Sequence, residues 1–183
     1  MKKYYPYLIF LLLVIVVTLI IQQIGNDKEV NIDEQPDKAE IMTKDNTPKV
    51  TGIGGIFFRS KDPKAIGEWY GKHLGLAIDG YGSPFEFRNA NNPEEINYLR
   101  WGPFDENTDY FDPSQKEFMI NYRVQNIEAL VDQLKESGVT VVDSIAAYDY
   151  GKFVHIMDPE GNKIELWEPI DSVFTALGGP TTK

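Results

Sequence analysis

The sequence has no cysteine. Disulfide frameworks, zinc–thiolate sites and a cysteine nucleophile are therefore excluded. It has two histidines, His73 and His155, so one chain cannot build a three-histidine metal site. Positive charge is scarce: 18 Lys and Arg stand against 28 Asp and Glu, for a net charge of −10. Binding to a phosphate backbone calls for a basic footprint, so no nucleic-acid partner is expected. No GxSxG turn, phosphate-cradling glycine loop, HExxH pair or EF-hand loop occurs. The glycines of Gly52-Ile53-Gly54-Gly55 lie inside a predicted strand and do not form a nucleotide fingerprint.

What the chain has, at its start, is a long apolar run. Lys2 and Lys3 precede an uncharged stretch over residues 4–26, whose centre is almost wholly Leu, Ile, Val and Phe. About 20 apolar residues span a bilayer as a helix. A cleaved signal peptide is the rival reading, but the exit Ile21-Gln22-Gln23-Ile24-Gly25 offers no small-residue cleavage pattern. Residues 1–26 are therefore expected to be an uncleaved anchor. With the lysines before the helix, the positive-inside rule places a single-pass protein with its domain outside the cytoplasm. Without Lys2 and Lys3 the net charge moves from −10 to −12, so the exported part is acidic. Residues 27–49 are polar, carry Pro36 and Pro48 and lack periodicity. They read as a flexible tether.

Residues 50–170 alternate short strands with two helices. A first strand holds Ile53 to Phe58. Asp62-Pro63 starts a helix with an N-cap and a proline at its first position. Ile66, Trp69, Tyr70, His73 and Leu74 share one face of it, and Gly75 ends it. Weaker strands follow near 76–78, 84–88 and 96–101. A polar loop over residues 102–116 carries Tyr110-Phe111. A strand from Phe118 to Val124 leads into Asn126, read as a cap, and into a helix with Ile127, Leu130, Val131 and Leu134 on one face. A β-branched strand covers residues 139–145. A last hairpin turns at Asp158-Pro159-Glu160-Gly161-Asn162, where proline and glycine suit a tight turn. If Met157 faces Lys163, then His155 faces Glu165, and both point the same way. Residues 171–183 read as a tail with one helical turn that then frays.

The two halves match. Phe57-Phe58-Arg59 answers Asn121-Tyr122-Arg123, and Leu99-Arg100-Trp101-Gly102-Pro103 answers Glu165-Leu166-Trp167-Glu168-Pro169. The fold class is α+β: two tandem βαβββ modules, each covered by one helix, enclosing a cleft suited to a small molecule.

These motifs resemble the vicinal oxygen chelate superfamily of glyoxalases, extradiol dioxygenases and bleomycin-resistance proteins. The resemblance rests on Asp62-Pro63 with Trp69-Tyr70 and His73-Leu74-Gly75-Leu76, on Tyr122-Arg123-Val124, and above all on Asp158 to Leu166. It implies paired modules, often dimeric, and in the enzymes a divalent metal held from the first, fourth, fifth and last strands. Carried onto this sequence, those positions fall on Gly55, Leu99, Met119 and Glu165. Only Glu165 is a good ligand for a hard cation, and His155 would still leave the set one short of three. No cofactor is therefore expected, beyond a weakly held divalent ion.

By strand alternation, Trp101 with Leu99, then Met119, Asn121 and Arg123, then Glu165 and Trp167 point into the cleft, joined by Tyr148 and Tyr150. Aromatic walls with a few polar handles suit a small organic ligand. Each of these aromatics is equally at home in a core. Beside the carboxylate role of Glu165 stand pairing with Arg123 or Lys163 and an inherited remnant. His73 has a structural role near a helix C-terminus. The leading expectation is a membrane-tethered, metal-free binding domain of the bleomycin-resistance type, with homodimer formation implied by the resemblance. The rivals are a lyase or isomerase using His155 and Glu165 as acid and base, and a protein-interaction module whose cleft is filled by its own side chains.

Overall fold

At the centre two long strands cross antiparallel, β1 (Lys49–Ser60) and β4 (Phe118–Gln125). Both appear in a computed structural model that describes residues 45–183. β3 (Ile96–Asp105) runs parallel to β1, and β2 (Ser83–Arg88) lies antiparallel outside it. On the other side β8 (Lys163–Pro169) runs parallel to β4, followed by β7 (Gly151–Met157) and the short β5 (Thr140–Val141). The order is β2-β3-β1-β4-β8-β7-β5, and β6 (Ala146–Tyr148) pairs with β7. The two halves are thus related by an approximate two-fold axis between β1 and β4, as the repeat implies.

The second module folds as its pattern dictates. Helix α2 (Ile127–Glu136) lays Ile127 and Val131 against Val124, Val154, Ile156 and Leu166. Each such burial contributes about 1.5–3 kcal/mol. The even positions of β4, β7 and β8 meet this helix, which sends the odd positions to the opposite face. Asn126 does not cap the helix with its side chain. Its φ is 54°, and its side-chain amide donates to the Asn46 carbonyl at 3.0 Å. Of the predicted strand over residues 139–145, Thr140–Val141 alone pairs.

The first module departs further. Helix α1 (Pro63–Leu74) begins as expected, with Asp62 accepting from the Ala65 N–H at 2.9 Å. Its covered side takes only part of the predicted stripe, the half-buried Ile66 and Tyr70. Gly67 is buried, while Trp69 and Leu74 are 49 % and 60 % exposed. The small surface of Gly67 and Gly71 lets the helix settle on Ile78, which a Cβ at either position would touch. Trp69 and His73 instead lie against each other at the surface, ring centres 4.9 Å apart. Residues 76–78 form no strand.

Residues beyond β8 occupy the space left there. Helix α3 (Asp171–Leu177) is followed by a segment in which Thr182 bonds β2 twice. Its N–H donates to the Pro84 carbonyl at 2.8 Å, and its carbonyl accepts from the Glu86 N–H at 3.0 Å. The Thr182 hydroxyl also meets Ser83 and the Ala77 N–H. The predicted fraying is thus replaced by docking. At the other end, residues assigned to the tether are held by the domain: Gln125 donates to the carbonyls of Asp45 and Thr47. The predicted anchor lies outside the described residues, as does most of the tether. Among the described residues no helix is long and apolar enough to cross a membrane.

Candidate functional site

The β7–β8 hairpin has the register that its turn demands. Asp158 accepts from the N–H groups of Glu160 and Asn162 and from the Asn162 side chain, and Gly161 takes φ 79°. Met157 then faces Lys163, and His155 faces Glu165. His155 and Glu165 lie opposite the α2 face, in the cleft.

Glu165 is 2 % exposed and engaged by three donors. The Tyr110 hydroxyl and His155 Nε2, the latter at 3.1 Å, donate to its Oε1, and the Asn121 amide donates to its Oε2. The carboxylate pairs with neither Arg123 nor Lys163, two partners open to it on sequence grounds. Lys163 Nζ turns to the Tyr110 carbonyl at 2.6 Å. The far nitrogen of His155, Nδ1, meets Asp143 Oδ2 at 2.6 Å. Burial disfavours the imidazolium, but the Glu165 bond and charge, aided by Asp143, outweigh it and raise the His155 pKa. Burial, reinforced by the Glu165 charge, lifts the Tyr110 phenol far above its ordinary value. A chain of hydrogen bonds thus runs from half-exposed Asp143 through His155 to Glu165 and Tyr110.

Tyr110 belongs to the loop between β3 and β4. Arg59 donates to the Glu106 and Thr108 carbonyls, and Ser114 donates to the Gly161 carbonyl at 2.7 Å. So anchored, the loop drives Phe111, fully buried, against Phe57 and Met119, and stacks Tyr110 on Phe104. The loop fills this half of the cleft.

The same packing decides whether these residues suit a divalent metal. Across the central pair Gly55 faces Asn121, and Phe57 faces Met119. With Phe57-Phe58-Arg59 matched to Asn121-Tyr122-Arg123, the approximate two-fold passes by Ile56 and Ile120 and relates Gly55 to Met119 and Phe57 to Asn121. Asn121 neighbours Glu165 in β8, and Phe57 neighbours Gly102 in β3. Gly102, not Leu99, is the counterpart of Glu165, so the repeat match runs three residues out of register. The corrected set is Gly55, Gly102, Met119 and Glu165. A Cβ at Gly55 would come within 2.7 Å of the Phe57 ring, and one at Gly102 within 3.1 Å. A phenyl ring covers the first module's ligand positions, and the residues do not fit the metal. Among the described residues no three His, Asp or Glu side chains converge as a metal site would need.

Register also relocates Trp101. It packs on Tyr70 of α1 at 4.5 Å and on Phe58 at 5.1 Å, on the helix side. With Ile56, Phe85, Phe87 and Leu99 it lines an open apolar groove of about 380 Å³. Neither Trp101 nor Leu99 enters the cleft.

The other half of the cleft gathers Arg123, Trp167, Tyr148 and Tyr150 with Phe153, Tyr98 and Phe174. Trp167 stacks on Phe153 at 5.8 Å, and Tyr148 stacks on Tyr150 at 5.3 Å on the rim. Arg123 is 5 % exposed. Its guanidinium lies 5.2 Å from the Trp167 ring, donates to the Tyr98 carbonyl at 3.0 Å and pairs through both Nη atoms with Asp171 of α3. Arg123 reaches across β1 because Gly54 has no side chain. A Cβ there would collide with Asn121 Oδ1 and come within 2.7 Å of Trp167. Asn121 Oδ1 is buried without a partner. Asp143, Phe57, Asp171 and Phe174 escaped sequence reasoning. The first signal was available: Asp143 lies within the predicted strand over residues 139–145, just before the hairpin.

The glyoxalase-like domain family model matches residues 55–167, most of the described fold. No curated protein matches the chain. Among solved structures, a methylmalonyl-CoA epimerase variant from Streptomyces coelicolor, in complex with 2-nitronate-propionyl-CoA, is similar at 15 % identity. Its TM-score is 0.50, over 67 % of this chain and 99 % of that one. The methylmalonyl-CoA epimerase of Mycobacterium tuberculosis shares 22 % identity over 70 % of this chain and 95 % of its own, with TM-score 0.45. A glyoxalase/bleomycin resistance protein/dioxygenase superfamily member from Vibrio splendidus 12B01 shares 12 % over 67 % and 99 %, with TM-score 0.41. At these identities the likeness concerns the fold alone. With the family model spanning both modules and the cleft between them, the chain belongs to the glyoxalase-like domain family.

Proposed function

We propose that this protein is a membrane-tethered, extracytoplasmic member of its family that binds a small organic molecule, without the family's divalent metal and without catalysing a reaction. In this it would resemble the bleomycin-resistance type. The observation that carries the reading is the state of Glu165. The one carboxylate at a ligand position is held at both oxygens by three internal donors and lies beneath Tyr110. Its first-module counterparts, Gly55 and Gly102, lie beneath a phenyl ring. A carboxylate so engaged supports the cleft rather than reacting in it. Binding falls to the Arg123–Trp167 half, where α3 lies over a buried cation and aromatic walls. The uncleaved anchor and outward topology rest on the Lys2–Lys3 and apolar pattern of residues 1–26.

Elemental analysis of the purified chain, with mass spectrometry of the small molecules that co-purify, tests this. The expected result is no stoichiometric metal and a bound organic molecule. Tight metal at one per chain, lost in Glu165→Gln, overturns it.

The filled cleft also favours a second reading, an interaction module at the cell envelope. Its contact surface would be the groove of Ile56, Phe85, Phe87, Leu99 and Trp101. That reading predicts no co-purifying small molecule, and a partner protein or second copy instead. The acid–base reading needs Tyr110 to leave Glu165 before any substrate reaches the His155–Glu165 pair.

A further inference from the structure

Helix α3 has the anatomy of an internal ligand. It is seven residues long, buries none of them fully and starts without a side-chain cap. A helix this short has little stability of its own and depends on what it touches. Two side chains do most of the touching, and they converge on one place. Asp171 sets its carboxylate against both Nη atoms of Arg123, and Phe174 sets its ring edge-on to Trp167 at 5.7 Å and beside Tyr98 at 5.6 Å.

The seat beneath is better built than its occupant. Arg123 is held by the Tyr98 carbonyl and by the Trp167 face, and Gly54 keeps the floor clear. Without α3 the guanidinium would keep that one carbonyl and lose its counterion. A buried, unpaired cation is strongly unfavourable, so the seat demands an anion whatever supplies it. A planar guanidinium prefers a carboxylate taken at both oxygens. The rings of Trp167, Tyr98 and Tyr150 around it prefer a flat apolar body.

We propose that the Arg123–Trp167–Tyr98 half of the cleft is a site for a small aromatic carboxylate, and that α3 is its exchangeable cover. Asp171 stands in for the ligand's carboxylate and Phe174 for its ring. The inference rests on the reading of the domain as a small-molecule binder and names the class of molecule. The chain carries a net charge of −10, so an anion finds this one buried guanidinium against a repulsive background. Its affinity depends on Arg123 more than on any other group.

The test uses the full chain in detergent micelles, with 1-naphthoate as the probe and 1-naphthamide as its uncharged control. Binding is read from tryptophan fluorescence, since Phe174 leaving Trp167 changes that ring's surroundings. Asp171→Asn removes the internal competitor and is expected to bind 1-naphthoate at least tenfold more tightly than the unaltered chain. Arg123→Lys keeps the charge and the fold but loses the two-pronged geometry, and is expected to bind at least tenfold more weakly. Naphthamide is expected not to bind. Equal affinity of Asp171→Asn and the unaltered chain overturns the exchange. Undiminished binding by Arg123→Lys, or binding of naphthamide as tight as naphthoate, overturns the carboxylate seat. If neither probe binds while a different class of small molecule co-purifies, this inference fails and the binding reading stands. If nothing binds and nothing co-purifies, both fail.

Discussion

Glu165 separates a structural carboxylate from one reserved for chemistry. Replace it with leucine, and the Tyr110 hydroxyl, the Asn121 amide and His155 Nε2 lose their acceptor together. Tyr110 is 36 % exposed and can turn to water. Asn121 and His155, at 2 % and 8 %, cannot. An unpaired buried donor costs about 1–3 kcal/mol, so Glu165→Leu is expected to lose about 2–6 kcal/mol of folding stability. Set against the roughly 5–15 kcal/mol typical of a domain, that is a large fraction. Glu165→Gln behaves differently. The carbonyl of the substituted side chain still accepts from Tyr110 and His155. If Asn121 turns its amide over, its Oδ1, which lacks a partner in the unaltered chain, accepts from the new carboxamide. The expected loss is under about 1.5 kcal/mol, the scale of one ordinary hydrogen bond. Urea denaturation of both variants at neutral pH, followed by tryptophan fluorescence, measures the difference. A carboxylate kept for chemistry at the expense of stability would show the reverse, with Glu165→Leu neutral or stabilising. That outcome, or equal losses in the two variants, refutes the structural assignment of Glu165.

Stability should fall as pH rises through neutrality. The folded-state pKa of His155 lies above its ordinary 6.5, so its contribution is complete below about that pH and disappears as the folded imidazolium loses its proton. His155→Gln should flatten that part of a denaturation-midpoint profile, and an unchanged slope would argue against the Asp143–His155–Glu165 chain. Phe111→Ala removes a fully buried ring from the loop plug and should cost about 3–5 kcal/mol by calorimetry or denaturant. Gly54→Ala drives a methyl into Asn121 Oδ1 and Trp167, and the overpacking should cost about 1–3 kcal/mol by the same measurement.

Local rules carried well where the chain's own neighbours set the geometry. The Asp158–Asn162 turn fixed the hairpin register, and with it the His155–Glu165 pairing. The spacing of Ile127, Leu130, Val131 and Leu134 located the face of α2. Two readings failed for different reasons, one in matching distant segments and one on a single helix face. The Trp-x-Pro likeness of the two halves aligned Leu99 with Glu165, whereas hydrogen-bonded register aligns Gly102. The aromatic stripe of α1 suggested its buried side, but two small glycines mark where that helix comes close to Ile78. The occupation of the cleft was beyond local reading altogether. Tyr110 meets Glu165 across 55 positions, and Asp171 meets Arg123 across 48. Such pairings depend on how loops close over a finished sheet, and nothing in residue periodicity encodes that.

The pairing of Thr182 with β2 has a consequence for the order in which the molecule can be assembled. β2 is the outer strand of the first module, yet the backbone groups of Pro84 and Glu86 find their partner at residue 182. The first module emerges early in synthesis but cannot satisfy its own edge until the second has been made. Until then an exposed strand edge is available to other chains. Folding of the earlier half is therefore tied to delivery of the segment around Thr182, and deleting that segment should harm the half of the domain farthest from it in sequence.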